Sequence, residues 1–296
     1  MAKHSLHSPD IKGFFDNESS TVTYVASDPV TKACAVIDAV LDFNMASGTI
    51  NTSSADEIIA HIKSEKLVLE WLIETHVHAD HLSAAPYIQD MLGGKIGISA
   101  EISAVQKLFG KVFNAGTEFQ RDGSQFDQLF SDNDTYRVGL LEARTIHTPG
   151  HTPACMVHVI GDAAFVGDTL FMPDGGTARA DFPGGDARIL YQSIQKILEL
   201  PDETRIFVCH DYGPGGREVA WQTDVATQKA QNIHLAGKTE DEFVEMRQER
   251  DSTLGMPRLI LPSIQVNMRA GNMPPAEDNG DIYLKIPVNG LRVLGK

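Results

Sequence analysis

The sequence predicts an α/β fold. Short β-branched apolar runs alternate with segments whose apolar residues recur at helical spacing. No stretch of the 296 residues repeats at a fixed period. What recurs is an arrangement, a buried strand that ends in a histidine or aspartate, at His76, His151, Asp168 and His210. An α/β scaffold gathers a site from distant sequence in this way.

With 42% hydrophobic and 22% charged residues, the chain can bury a sizeable core, as one large domain or one domain with an extension. We place the body at residues 1–236 and a helical or irregular C-terminal extension, packed on it, at 237–296. A net charge of −15 argues against nucleic acid as partner, since phosphate binding needs concentrated Lys and Arg. No apolar run approaches the roughly 20 residues of a membrane span, and Met1 to Asp10 lacks the apolar core of a secretory signal. Cys34, Cys155 and Cys209 are odd in number and form no CxxC pair, which fits a reducing, cytoplasmic setting. A homodimer stays open.

In chain order, Thr21–Ser27 and Ala33–Asp38 read as a hairpin through Asp28-Pro29. Ser54-Ala55-Asp56-Glu57 reads as a capping box before a helix striped by Ile58, Ile59 and Ile62. Leu67–Ile73 is a buried strand, Leu82–Leu92 a helix stopped at Gly93-Gly94, Lys95–Ser99 a strand and Glu101–Phe109 a helix. The polar segment Asn114–Asp134 is expected to lie over the site. Strands follow at Leu140–Ile146, Cys155–Ile160 and Ala163–Val166, the last two joined by Gly161-Asp162. Asp186 caps a helix with the stripe Ile189, Leu190, Ile194, Ile197 and Leu198, and Arg205–Cys209 is a buried strand. Residues 222–236 read as helical, Thr239-Glu240-Asp241-Glu242 as a second capping box, and Leu259–Lys296 as lacking periodicity.

The stretch Thr75-His76-Val77-His78-Ala79-Asp80-His81 lies where a strand must turn. Neutral imidazole and carboxylate suit zinc or iron(II). His76 and His78, two apart in extended geometry, project the same way. Asp80 and His81 can face a second position. The candidate ligands are then His76, His78 and His151 around one position, and Asp80, His81 and His210 around another, with Asp168 between. His61, His147, His158 and His234, like Cys155 and Cys209, read as structural.

His-x-His-x-Asp-His, a later Pro-Gly-His-Thr, then Gly-Asp and a final His after a strand resemble the metallo-β-lactamase superfamily from about residue 20 to 236. The resemblance implies an αββα sandwich with metal at one edge. Gly176-Thr177-Ala178-Arg179-Ala180-Asp181-Phe182, His210-Asp211-Tyr212, Glu242-Phe243-Val244 and Val266-Asn267-Met268-Arg269-Ala270-Gly271 look like the flanks of its persulfide dioxygenases, in a bacterial branch. That family implies a non-haem iron enzyme. It would oxidise glutathione persulfide with O2 and water to sulfite and glutathione, with one Fe(2+) per chain held by His76, His151 and Asp168. His78, Asp80, His81, His210 and Asp211 would orient the ligands or line a second, vacant metal position. Arg179, Tyr212 and Arg269 would bind the substrate. The alternative is a dinuclear zinc thioester hydrolase of the glyoxalase II type, which carries the same ligand letters. A binding module on a degenerate scaffold would have lost ligands, and none is missing.

Overall fold

The computed structural model describes residues 8–290, so the His4 and His7 segment falls outside it. The expected hairpin is present and gains an outer strand: β1 (Asp10–Asp16), β2 (Thr21–Ser27) and β3 (Ala33–Ile37) pair antiparallel in that order. The Asp28 carboxylate closes the β2–β3 turn, accepting from Val30 N at 2.9 Å and Thr31 Oγ1 at 2.6 Å. β4 (Val40–Asn44) and β5 (Thr49–Asn51) begin a small separate sheet. α1 (Ser53–Ser64) buries Ala55, Ile58, Ile59 and Ile62. Its expected capping box does not form. The helix starts earlier, and Asp42 of β4 does the capping, taking Ser54 N at 3.0 Å and Ser54 Oγ at 2.6 Å.

β6 (Val68–Ile73) leads into the histidine-rich loop. The helix read from Leu82 starts later, as α2 (Ala85–Leu92), because β7 (Leu82–Ser83) pairs with Val40 and Leu41 instead. Gly93, at φ +78°, ends α2 with its N–H on Gln89 O. Next come β8 (Lys95–Ser99), α3 (Ile102–Val112), β9 (Gln128–Phe130), β10 (Thr135–Val138), β11 (Leu141–His147), β12 (Met156–Ile160) and β13 (Ala163–Phe165). α4 (Ala187–Leu198) is capped by Asp186, which accepts from the N–H groups of Arg188 and Ile189. Of its stripe, Ile189 faces out and Ala187 takes its place.

β14 (Arg205–Phe207) is followed by two departures from the reading. Residues 222–236 are not one helix: Gln222–Asp224 is an edge strand, β15, paired with β14, and α5 (Val225–Gln231) begins only where Asp224 caps it. The tail also contains a helix, α7 (Ile260–Asn267), too short to show a period and with polar Ser263, Gln265 and Asn267 buried beside its apolar residues. Between them α6 (Glu240–Ser252) opens with the expected capping box, Thr239 and Glu242 bonding each other's backbone.

One six-stranded sheet runs β1-β2-β3-β6-β8-β9 and another β10-β11-β12-β13-β14-β15. Strand alternation sends Val22, Tyr24, Ala26 and Ile37 inward to meet Val138, Leu141, Phe165 and Phe207 of the facing sheet. The opposite faces bury Val25, Cys34 and Val36 under α1, α2, α3 and α7, and Ala164 and Ile206 under α4, α5 and α6. This is a four-layer αββα sandwich, and residues beyond 237 fill both outer cores through Phe243 and through Ile260, Ile264 and Val266. Among the described residues no helix is long and apolar enough to cross a membrane.

Candidate metal centre

The two sheets are stitched together at one edge, by Met156 N to Thr75 O at 2.9 Å, Val22 N to Cys209 O at 2.8 Å, and a bridge between Thr21 and His210. β11, β13 and β14 all point toward that edge, so His151, Asp168 and His210 leave their strand ends together; β6 delivers His76 from the other sheet. Asp168 sits in a single 3-10 turn, Gly167–Thr169. Its approach depends on Gly167, at φ +51°, where a Cβ would fall 2.6 Å from Thr75 Oγ1.

Each of five imidazoles is held by one nitrogen. His151 Nδ1 donates to Arg179 O at 2.7 Å, His81 Nδ1 to Leu82 O at 3.0 Å and His210 Nδ1 to Ser20 O at 3.2 Å. His78 Nε2 donates to Asp38 Oδ1 at 2.9 Å. Thr75 Oγ1 spends its own hydrogen on Asp38 Oδ2 at 2.8 Å, so it must accept from His76 Nδ1 at 3.1 Å. The other nitrogen of every ring is left without a backbone or hydroxyl partner, free to offer a lone pair to a cation, which is how metal-ligating histidines are oriented. Nδ1 of His78 and Nε2 of His81 are buried with no partner, as is Asp168 Oδ1, for which His210 Nε2 at 3.2 Å lies off the line of a hydrogen bond.

Electrostatics point the same way. Buried Asp38, Glu74 and Asp168 and half-buried Asp80 have only histidines as ion-pair partners among the described residues. Burial drives His76 down to about 3 and His81 to about 4, each helped by the neighbouring His78. Burial opposes charge on His210 too, but Asp168 and Asp80 overcome it and raise His210 to about 10. His78 is raised by Asp38 against the same burial cost. Without a cation the cluster must take up protons to offset its carboxylates, and a cation would displace them. Ring nitrogens free to bind a cation, and carboxylates with no Lys or Arg partner among the described residues, fit a bound metal.

The ligand atoms of His76, His151 and Asp168 lie within 4.8 Å of one another. Those of His78, Asp80 and His81 form a second such group, and Asp168, Cys209 and His210 a third. This corrects the sequence reading of His78: its ring, held by Asp38 and, 3.5 Å away, Glu74, joins Asp80 and His81 rather than His76 and His151. Asp211 is also reassigned. Its carboxylate takes the Arg217 guanidinium at 2.5 and 2.7 Å and Ala220 N at 2.7 Å, and so stiffens the turn after His210.

A cavity of about 320 Å³ opens on His151, Asp168, His210 and Asp80, walled by Phe171, Phe182, Tyr212, Leu254 and Pro257. Residues 114–134 do not line it; the segment packs instead on Gln106, which accepts from Gly123 N. The cover comes from Phe171–Phe182 and the turn after α6. Arg179 is at the cavity, but its guanidinium is bidentate to Asp181 at 2.6 and 2.8 Å and donates to Gly255 O at 2.6 Å. Arg269 is not at the cavity; its guanidinium stacks 4.1 Å over Phe119. Tyr212 is, 64% exposed, with its ring parallel to that of His210. Sequence reasoning missed Arg250 on α6, which lines the cavity with no ion-pair partner among the described residues. It missed Asp38 as well.

Among the described residues, His147, His158 and His234 have structural partners. His147 Nε2 donates to Pro153 O, His158 meets Tyr136 Oη, and His234 Nδ1 accepts from Thr177 N. The three cysteines are buried and unpaired, and burial raises the Cys34 and Cys155 thiols to about 12.

Comparison with known proteins agrees with this architecture. The chain is 53% identical to a probable metallo-hydrolase of Burkholderia pseudomallei, over 95% of this chain and 99% of that one. It is 49% identical to a Dictyostelium discoideum protein called glyoxylase B2, over 95% and 98%. To the human mitochondrial persulfide dioxygenase ETHE1 it is 30% identical, over 90% of each. The crystal structure of ETHE1 from Myxococcus xanthus superposes with a TM-score of 0.71 at 29% identity, covering 89% of this chain and all of that one. With the superfamily's own model matching residues 16–210, the chain belongs to the metallo-beta-lactamase superfamily.

Proposed function

We propose that this protein is an iron(II)-dependent persulfide dioxygenase, converting glutathione persulfide, O2 and water to sulfite and glutathione. One observation carries the reading: two imidazoles and one carboxylate, His76, His151 and Asp168, share a position that no third histidine among the described residues joins. Two histidines and a carboxylate are the set associated with iron(II) and oxygen chemistry. Likeness to a persulfide dioxygenase over 90% of both chains supports it. Those three residues would hold the metal, and bound iron(II) would supply the electron transfer that dioxygen needs.

The chain's own residues do the rest. The apolar wall of Phe171, Phe182, Leu254 and Pro257 limits water at the reacting sulfur. Arg250 offers a free guanidinium to a glutathione carboxylate, and Tyr212 a hydroxyl at the same mouth. His210 lies on the cavity wall with Nε2 3.2 Å from Asp168 Oδ1, where it can help to orient that ligand beside the substrate. Unpaired buried cysteines support a cytoplasmic setting.

The second reading, a dinuclear zinc thioester hydrolase, is favoured by the intact Asp80, His81 and His210 and by the relative called glyoxylase B2. Oxygen consumption separates the two. Iron-loaded protein should consume O2 and form sulfite on addition of glutathione persulfide. Protein inert to persulfide that hydrolyses S-lactoylglutathione when loaded with zinc would overturn the proposal.

A further inference from the structure

The loop that carries His76, His78, Asp80 and His81 does not hold its own shape. Among the described residues no backbone N–H of residues 76–81 donates to a backbone carbonyl. Yet the loop is buried and its histidines need fixed directions, so its order must be imposed from outside. On the His76 and His78 side, Asp38 does this. On the other side the partner is Asn267, at the end of α7 and 186 residues beyond His81.

The Asn267 side chain is 4% exposed in all. Its Nδ2 donates to His78 O at 2.9 Å and to His81 O at 2.8 Å, and its Oδ1 accepts from Ser83 N at 2.8 Å. Both N–H groups and the carbonyl are thereby used on one loop. Only a primary amide offers two donors and an acceptor in one plane. α7 is itself seated firmly: Gly271, at φ +83°, passes where a Cβ would fall 2.6 Å from Pro86 Cδ, and Gln106 Nε2 donates to Met268 O at 2.9 Å.

We infer that Asn267 is a positioning residue of the metal centre, setting the separation of the His78 and His81 carbonyls and with it the course of the whole loop that starts at His76. The C-terminal helix then acts as the template for the second half of the metal loop. The inference rests on a metal being bound at His76, not on which reaction follows.

The test uses the full-length chain with cobalt(II) alone as probe, comparing Asn267→Asp, Asn267→Ala and, as control, Gln265→Ala. Asp is isosteric but turns an oxygen toward two carbonyl oxygens. Ala leaves room for water to bridge them, so it serves if the Asp variant fails to fold. Gln265 lies on the same helix, equally buried, but bonds Leu261 and Lys285 rather than the loop. We expect both Asn267 variants, folded by circular dichroism, to bind cobalt(II) about ten- to a hundredfold more weakly, with altered visible bands. Gln265→Ala should keep both affinity and spectrum. Wild-type affinity and spectrum in a folded Asn267 variant would overturn the inference. So would an equal loss in Gln265→Ala, which would mean that α7 merely stabilises the fold.

Discussion

His78 Nε2 donates to Asp38 Oδ1 across 2.9 Å, joining a residue just past β3 to one just past β6. The same carboxylate takes Thr75 N at 2.7 Å and Thr75 Oγ1 at 2.8 Å. Asp38 does so from a left-handed backbone, φ +54°, a conformation that favours Asp and Asn over branched residues. Asp38→Ala should leave three buried donors unpaired, costing about 2–4 kcal/mol and weakening metal retention about ten- to a hundredfold. Asp38→Asn keeps the backbone and an acceptor and should lose less. Thermal melts and chelator competition measure both, and equal metal retention in all three proteins would argue against the assignment.

Arg179 and Arg250 divide the work at the cavity. Because Asp181 and Gly255 already occupy the Arg179 guanidinium, Arg179→Ala should lower the melting temperature by several degrees and loosen the turn after α6. Arg250→Ala should instead raise KM for glutathione persulfide about tenfold, the loss of roughly one charge-assisted hydrogen bond, at nearly constant kcat. A reversed pattern in steady-state kinetics and melts would return substrate binding to Arg179.

His158 supplies a pH dependence remote from catalysis. Burial holds it down to about 4, against 6.5 for a free imidazole. The unfolded chain therefore binds a proton between these values that the folded chain refuses. Stability from the neutral ring is complete above about pH 6.5 and is lost as pH falls toward 4, by about 2 kcal/mol at pH 5. The difference in melting temperature between pH 7 and pH 5 should shrink in His158→Phe. An unchanged difference would mean that His158 is protonated in the folded protein.

Much of this site was legible because strand ends are legible. A buried apolar run followed by His or Asp marks a side chain at the sheet edge, and His76, His151, Asp168 and His210 converge as that rule requires. Applied to Ile37-Asp38, the rule would have found Asp38 too. The partition of His78 was not legible, since periodicity gives a side chain's direction along a strand but not the carboxylate that turns its ring. Arg250 sits on a highly polar helix where a functional cation looks like any solvated one. α7 escaped because a short helix that buries Ser263, Gln265 and Asn267 beside its apolar residues has no amphipathic stripe.

The single-metal reading makes Asp80 and His81 dispensable for holding the ion. Asp80→Ala should keep the metal and lose activity only partly, whereas His151→Ala and Asp168→Ala should lose both.

Metal analysis of the full chain, purified without added metal, tests the central claim most directly. One iron per chain is expected, retained in Asp80→Ala and absent from His151→Ala and Asp168→Ala. Two zinc ions per chain, with one released by Asp80→Ala, would contradict it.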